Sequence, residues 1–314
     1  MPLPVTEADV RKAHARIELC IRQTPTWYLP DGLWGHSGPV SLKFEFMQYA
    51  GSFKTRGAFN SLLAQAKEPK LVAAASGGNH GAGVAHAART LGLPARIFVP
   101  EIASPAKLAM IRSCGAEVVI GGARYADAQE ACDRYVAETG AFCVHPFDTK
   151  ETIAGQGTVA LEWAKDTALD TVLVAAGGGG LLAGIAAFFG RKVRVVGVEP
   201  EGSRAVHAAL AAGGPVDVQV QSVAADSLGA RSAGAMAFEI IKQAVHGVVL
   251  VSDDDIEETQ RWLWTQWRLA IEPGGCAALA ALRSGAYEPA RGERVGILLC
   301  GANVDLGKLA AATA

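Results

Sequence analysis

Residues 51 to 60 read GSFKTRGAFN, and the side chain there that could do chemistry is Lys54. In a confined site a lysine loses proton affinity, and it can then serve as a base, a nucleophile or the partner of an aldehyde in a Schiff base. Gly51 and Ser52 let the chain turn just before it, and TRGAFNSLLAQA behind it reads as a helix. A cation at a helix N-terminus opposes the helix dipole, which hints at a task, although the stretch taken alone also reads as an exposed surface lysine. Three further segments set small or polar residues at the ends of apolar runs. Gly177, Gly178, Gly179 and Gly180 follow TVLVAA and open LLAGIAAFF. Glycines admit an anion close to the backbone, and a helix N-terminus offers free N–H donors and a favourable dipole. No Gly-Lys-Ser/Thr follows, so this is not a Walker loop. A phosphorylated cofactor fits, and so does a dinucleotide, with Gly178, Gly180 and Ala183 as G-x-G-x-x-A and Glu199 on the ribose. In ASGGNHGAGVAHAA, Ser76, the N–H groups of Gly77 and Gly78, Asn79 and His80 could hold a carboxylate or simply cap a helix. Cys300 closes the apolar run of VGILLCGANVD, where it either faces the crevice that α/β sheets offer to ligands or is a core thiol.

These segments need a scaffold, and the chain supplies one from about residue 71. LVAAAS, ARIFVP, AEVVIGG and AFCVH alternate with the helical stretches NHGAGVAHAARTLG, SPAKLAMIRSCG and ARYADAQEACDRYVAETG. The rhythm resumes with TVLVAAG, VRVVGVEP and VGILLCG. Short apolar runs alternating with amphipathic helices predict parallel sheets with right-handed crossovers, and runs this continuous predict sheets covered on both faces. The fold class is therefore α/β, with two such units sharing the chain. AAGGPVDVQVQ, from Ala211 to Gln221, reads as a long surface loop, and the tryptophans of RWLWTQWRLA as core or subunit-interface anchors.

Composition narrows the partners. Of the 314 residues half are apolar, and 29 basic against 31 acidic side chains leave a net charge of −2. That gives no electrostatic footprint for nucleic acid or an anionic membrane. No run approaches the ~20 apolar residues that span a bilayer, and the N-terminus lacks a secretory profile, so the expectation is a cytoplasmic protein acting on small molecules. The six scattered cysteines suit reduced, structural thiols.

The four segments, in this order, resemble the pyridoxal-phosphate enzymes of the tryptophan-synthase-β type, fold type II, and most closely the serine/threonine dehydratases with serine racemase. GSFKTRGA looks like the family's Schiff-base lysine segment, SGGNH like its substrate-carboxylate loop, GGGGLLAG like its phosphate loop, and CGANVD like the segment facing the pyridine nitrogen. The resemblance runs from about Thr24 to Leu306. It implies two open, mainly parallel sheets with the cofactor, pyridoxal 5'-phosphate, in the cleft between a large domain (1–71 and 147–314) and a small one (72–146). It implies that Lys54 binds the cofactor and takes the α-proton, with Phe53 beside the ring and Asn79 on the phenolic oxygen. Ser76, Gly77, Asn79 and His80 would line the carboxylate loop. Gly177, Gly178, Gly179, Gly180 and Leu181 would bind phosphate, and Cys300 would meet the ring nitrogen. Glu272, in IEPGG, matches a family glutamate near the crevice.

The implied activity is dehydration and deamination of L-threonine, L-serine or a bulkier β-hydroxy amino acid to a 2-oxo acid and ammonia, by a homodimer. The alternatives are β-replacement or racemisation on the same cofactor and, from another class, a nicotinamide-dinucleotide oxidoreductase resting on G-x-G-x-x-A and Glu199. Racemisation is disfavoured because Gly77 stands where the racemase has its serine base. Glu199 matches one ligand of the family's cation site, but Ala205 stands where the aspartate would be, so no metal is expected. The chain ends soon after CGANVD, so the expectation is no added C-terminal regulatory domain and no feedback control by isoleucine. The side chains that would read the substrate are expected in EFMQYAG and ADSLGARSAG.

Overall fold

A computed structural model describes residues 2–30, 32–103 and 105–313. Its strands are β1 (Thr26–Tyr28), β2 (Val40–Lys43), β3 (Val72–Ala75), β4 (Ala95–Val99), β5 (Glu117–Ile120), β6 (Phe142–Cys143), β7 (Thr171–Ala175), β8 (Arg194–Pro200), β9 (Gly247–Val251) and β10 (Val295–Leu298). They form a six-stranded sheet, β1-β2-β10-β7-β8-β9, and a four-stranded sheet, β5-β4-β3-β6. Every neighbouring pair is parallel except β1 with β2. Strands β3, β7 and β10 are buried along their whole length, which is why they read as unbroken apolar runs.

The helices are α1 (Glu7–Ile17), α2 (Lys54–Leu63), α3 (Asn79–Thr90), α4 (Pro105–Ser113), α5 (Tyr125–Thr139), α6 (Lys150–Asp166), α7 (Gly180–Phe189), α8 (Ala205–Ala212), α9 (Ala225–Leu228), α10 (Ala235–Ala244), α11 (Asp253–Trp267), α12 (Pro273–Ser284) and α13 (Leu306–Thr313). Helix α6 is the central post. A Cβ added at Gly157 would run into the Gly184 carbonyl of α7, and one at Gly155 would lie 2.8 Å from the Gly57 Cα of α2. Only glycine lets these helices cross so closely.

A buried ionic cluster ties α2 to this post. Arg56 is fully buried; its Nε and Nη2 donate to Glu45 at 2.5 and 2.9 Å, and its Nη1 and Nη2 donate to Glu162 of α6 at 2.7 and 2.9 Å. Lys43, also fully buried, donates to the Thr24 carbonyl at 2.7 Å and to Asp166 at 2.9 Å. Two carboxylates held this close without a cation would be strongly destabilising. Arg56→Met should therefore lower the unfolding free energy of the apo-protein by about 3–5 kcal/mol. In the same urea titration Arg96→Met, at the exposed Arg96–Glu117 pair, should change little.

Candidate active site

The topology decides where the four segments meet. Strands β7 and β10 are parallel neighbours, so the glycines after β7 and Cys300 after β10 emerge side by side. Strands β3 and β6 are parallel neighbours too, which brings the Asn79 loop beside residues 144–148. Carboxyl ends of strands in both sheets thus face one cleft, the position ligands take in open α/β sheets. Phe53, Lys54, Asn79, the four glycines, Leu181, Glu272 and Cys300 all line it, in a space of about 470 Å³ that includes its open mouth. Ser76, Gly77 and His80 lie outside that lining.

Lys54 is fixed from behind. Ser52 forms an isolated antiparallel bridge with Gly301, and Phe53 N–H donates to the Cys300 carbonyl at 3.2 Å. Ala50 just upstream is held at φ 57°, a left-handed conformation that a non-glycine residue adopts at a cost. The Lys54 amine donates to the Pro146 carbonyl at 2.7 Å and stands 5.2 Å from the Phe53 ring centre. Desolvation brings its pKa down to about 8, against the opposing pull of Cys300 and Glu272.

The glycine loop is open toward the cleft. Gly179 has φ 91°, a conformation that favours glycine, and no side chain caps α7, so the first N–H groups of that helix have no partner within it. The Phe147 ring lies against Gly178, where an added Cβ would come within 2.6 Å of it. An uncapped helix start rimmed by glycines suits a phosphate.

Asn79 is oriented by its neighbours. Asn303 Nδ2 donates to the Ala50 carbonyl at 2.8 Å, and the same nitrogen donates to Asn79 Oδ1 at 2.7 Å. Asn79 Nδ2 therefore points the other way, to Glu272 Oε1 at 2.6 Å. Desolvation raises Glu272 to about 7, and the Asn79 bond works against that rise. Burial pushes the Cys300 thiol far above its ordinary value, so it stays protonated; its Sγ lies 3.8 Å from the Gly274 carbonyl.

Two expected side chains, those of His80 and Glu199, are engaged away from the cleft. The His80 ring turns away from the cleft and its Nε2 pairs with the Val144 carbonyl at 2.8 Å. A carbonyl only accepts, so Nε2 carries the hydrogen; burial lowers this histidine to about 3 and it is neutral. A Cβ at Gly77 would face Ala103 and Val99 rather than the cleft. Glu199 accepts from Val206 N–H at 2.9 Å and His207 N–H at 2.7 Å, so both its oxygens are engaged at the start of α8. Glu199 thus serves as an acceptor for the first turn of α8. The Pro146 carbonyl, Phe147 and Asn303 were not among the sequence candidates, although Asn303 lies within CGANVD.

A buried amine beside an uncapped glycine-rich helix start is the arrangement that an aldehyde with a phosphate arm requires. The family model for pyridoxal-phosphate dependent enzymes matches residues 17–301. The chain belongs to that family. A phenylserine dehydratase of Ralstonia pickettii is 40% identical over 305 residues, covering 94% of this chain and 92% of that one. An L-threonine ammonia-lyase of Thermotoga maritima is 33% identical, covering 97% and 77%. Among solved structures, maize serine racemase superposes with a TM-score of 0.91 at 32% identity, covering 98% of this chain and 96% of that one. A T.th. threonine deaminase gives 0.89 at 36%, covering 96% and 99%. The cofactor is pyridoxal phosphate, and the lysine, the open helix start and the neutral thiol all fit it.

Glu272 gives this family member a measurable signature. Its pKa is raised from 4.5 to about 7, so the folded protein binds this proton more tightly than the unfolded chain does. The stabilisation is full below pH 4.5 and is lost as pH rises through about 7. Between those limits apo wild type should lose about 3 kcal/mol relative to Glu272→Gln. Urea midpoints across that range check the slope.

Proposed function

We propose that the chain is a lyase that removes water and then ammonia from a β-hydroxy amino acid, leaving a 2-oxo acid. The observation that carries the reading is the Lys54 amine, lowered to about 8 and facing a glycine-lined, uncapped helix start. When bound, pyridoxal phosphate supplies an aldehyde for the substrate amine and an electron sink for the α-carbon. Lys54 Nζ, partly neutral near pH 7, accepts the α-proton. The N–H groups of Gly177 to Leu181 would hold the phosphate, and Asn79, whose Nδ2 gives one hydrogen to Glu272, would offer the other to the phenolic oxygen. Ser76, Gly77, Asn79 and the α3 start hold the substrate carboxylate, with His80 supporting this loop from behind. Cys300, which keeps its own proton, would stand at the ring nitrogen as a neutral group and add no charge there.

The relatives named for phenylserine and threonine support this reaction type. Phe53, Phe147 and Leu228 in the lining favour an apolar β-substituent, up to an aryl group. Racemisation needs an acid on the opposite face, and Gly77 has none. The reading includes residues 72–146 as a smaller domain closing on 1–71 and 147–314, and a homodimer in the cytoplasm. Trp27 and Tyr28, 40% and 51% exposed, would supply part of its interface.

Purified protein should show a near-visible cofactor band that shifts on adding 3-phenylserine, L-threonine or L-serine while 2-oxo acid forms. Lys54→Ala should lower kcat by at least about a thousandfold and abolish that band. A band without oxo acid from any β-hydroxy amino acid would overturn the dehydratase reading.

A further inference from the structure

We propose that His145 is the positioning residue that holds the Pro146 carbonyl on the Lys54 amine. The inference deepens the reading of Lys54 as the cofactor lysine and rests on it. Residues 144–149 join β6 to α6 and so run between the two sheets. Val144 is pinned to the smaller sheet, its N–H donating to the Ala73 carbonyl at 3.1 Å and its carbonyl accepting from His80. At the far end Asp148 Oδ1 accepts from Ala237 N–H at 2.9 Å at the start of α10, and the His145 carbonyl accepts from Thr152 Oγ1 at 3.0 Å. The turn between these anchors is shaped by one imidazole. His145 Nδ1 accepts from Phe147 N–H at 3.3 Å and from Asp148 N–H at 2.9 Å.

Backbone N–H groups only donate, so Nδ1 carries a lone pair and the hydrogen sits on Nε2. Nδ1 lies the same number of bonds from Cα as Oδ1 of an asparagine, and the turn is the histidine counterpart of an Asx turn. With two successive N–H groups held by the imidazole, the Pro146 carbonyl is left facing Lys54 Nζ at 2.7 Å. Proline contributes no N–H that could compete. The same imidazole meets the Phe147 ring edge-on, at 5.1 Å and 82°, and that ring lies against Gly178 beneath the helix start. His145 itself is exposed and is not among the residues lining the cleft, so it acts only through its neighbours. Whenever Lys54 is not bonded to the cofactor its amine needs an acceptor that keeps it within reach. Pro146 is that acceptor, and His145 sets its direction.

Three variants separate this from bulk packing. His145→Asn keeps an acceptor at the Nδ1 position, His145→Gln moves it outward to the Nε2 position, and His145→Ala removes it. In apo-protein, hydrogen exchange at the amides of Phe147 and Asp148 reads the turn, and trace acetylation of Lys54, quantified by peptide mass spectrometry, reads the amine. In the Ala and Gln variants exchange at both amides should quicken about tenfold and Lys54 acetylation should rise several-fold, as expected for losing a hydrogen bond. In the reconstituted enzyme kcat should fall with little change in KM. The Asn variant should stay within about twofold of wild type on every readout. Wild-type exchange and acetylation in the Ala variant, or an Asn variant as impaired as Ala, would overturn the proposal. Should the Ala variant not fold, the comparison of Asn with Gln decides it. A cofactor band that survives Lys54→Ala would instead overturn the reading of the lysine, while loss of that band with unaltered His145 variants removes the positioning role alone.

Discussion

Burial of one guanidinium between two carboxylates organises the molecule. Arg56 stands two residues after Lys54 on the same helix, and Glu45 and Glu162 hold it from a loop and from the central helix. A charge taken out of water tolerates little displacement, because each lost hydrogen bond leaves an uncompensated ion in a low dielectric. The geometry of this clamp therefore fixes where α2 begins. The start of α2 in turn fixes the lysine. The bridge of Ser52 to Gly301 and the left-handed Ala50 complete the hold, so the reactive amine projects from a strained turn locked on two sides. The stiffness of the site comes from ions that never touch a ligand.

Inside the cleft the electrostatics run the other way. Lys54 is brought down to about 8 and Glu272 up to about 7, and Cys300 stays protonated, with desolvation the leading cause in each case. The protein thus presents a hydrogen-bonded pocket, with its charges weakened by burial, beside a helix start whose dipole favours an anion. A phosphorylated cofactor brings the charge with it, and the polar groups that orient it are already committed to single directions. The chain from Asn303 through Asn79 to Glu272 is an example: because the Ala50 carbonyl can only accept, each amide in the series has one allowed orientation.

Much of this was legible in the sequence, for a physical reason. Buried parallel strands must be apolar throughout and must be joined by helices, so the rhythm from residue 71 onward predicted the four-stranded sheet and β7, β8 and β10 of the six-stranded one, while β1, β2 and β9 went unread. Glycines at a strand-to-helix turn and a lysine after Gly-Ser mark backbone constraints that few other residues satisfy. What stayed hidden depends on contacts between distant segments. The acceptor for Lys54 is a backbone carbonyl 92 residues away, which has no side-chain signature. Phe147 lies against the glycines only because β6 runs beside β3 at the edge of the other sheet. His80, set within SGGNH, had the composition of a ligand-binding residue, but its place in the first turn of α3 directs it toward Val144 and the core.

The same packing bears on which reactions the site can support. Lys54 lines the cleft, and on the proposed reading Gly77 is the position that would have to carry a proton donor on the other side. A Cβ built there would lie 3.2 Å from the Ala103 side chain and 3.3 Å from that of Val99, so those side chains would have to give slightly. On the proposed reading, proton transfer at a bound α-carbon would then fall to Lys54 alone, and a single-faced base can remove a proton but cannot invert the centre. The neutral Cys300 thiol would work in the same direction if, as proposed, it stands at the ring nitrogen, because it adds no negative charge there. On the proposed reading, elimination would be favoured by the lack of an acid at Gly77 and by the neutral thiol of Cys300, whose proton is held by burial.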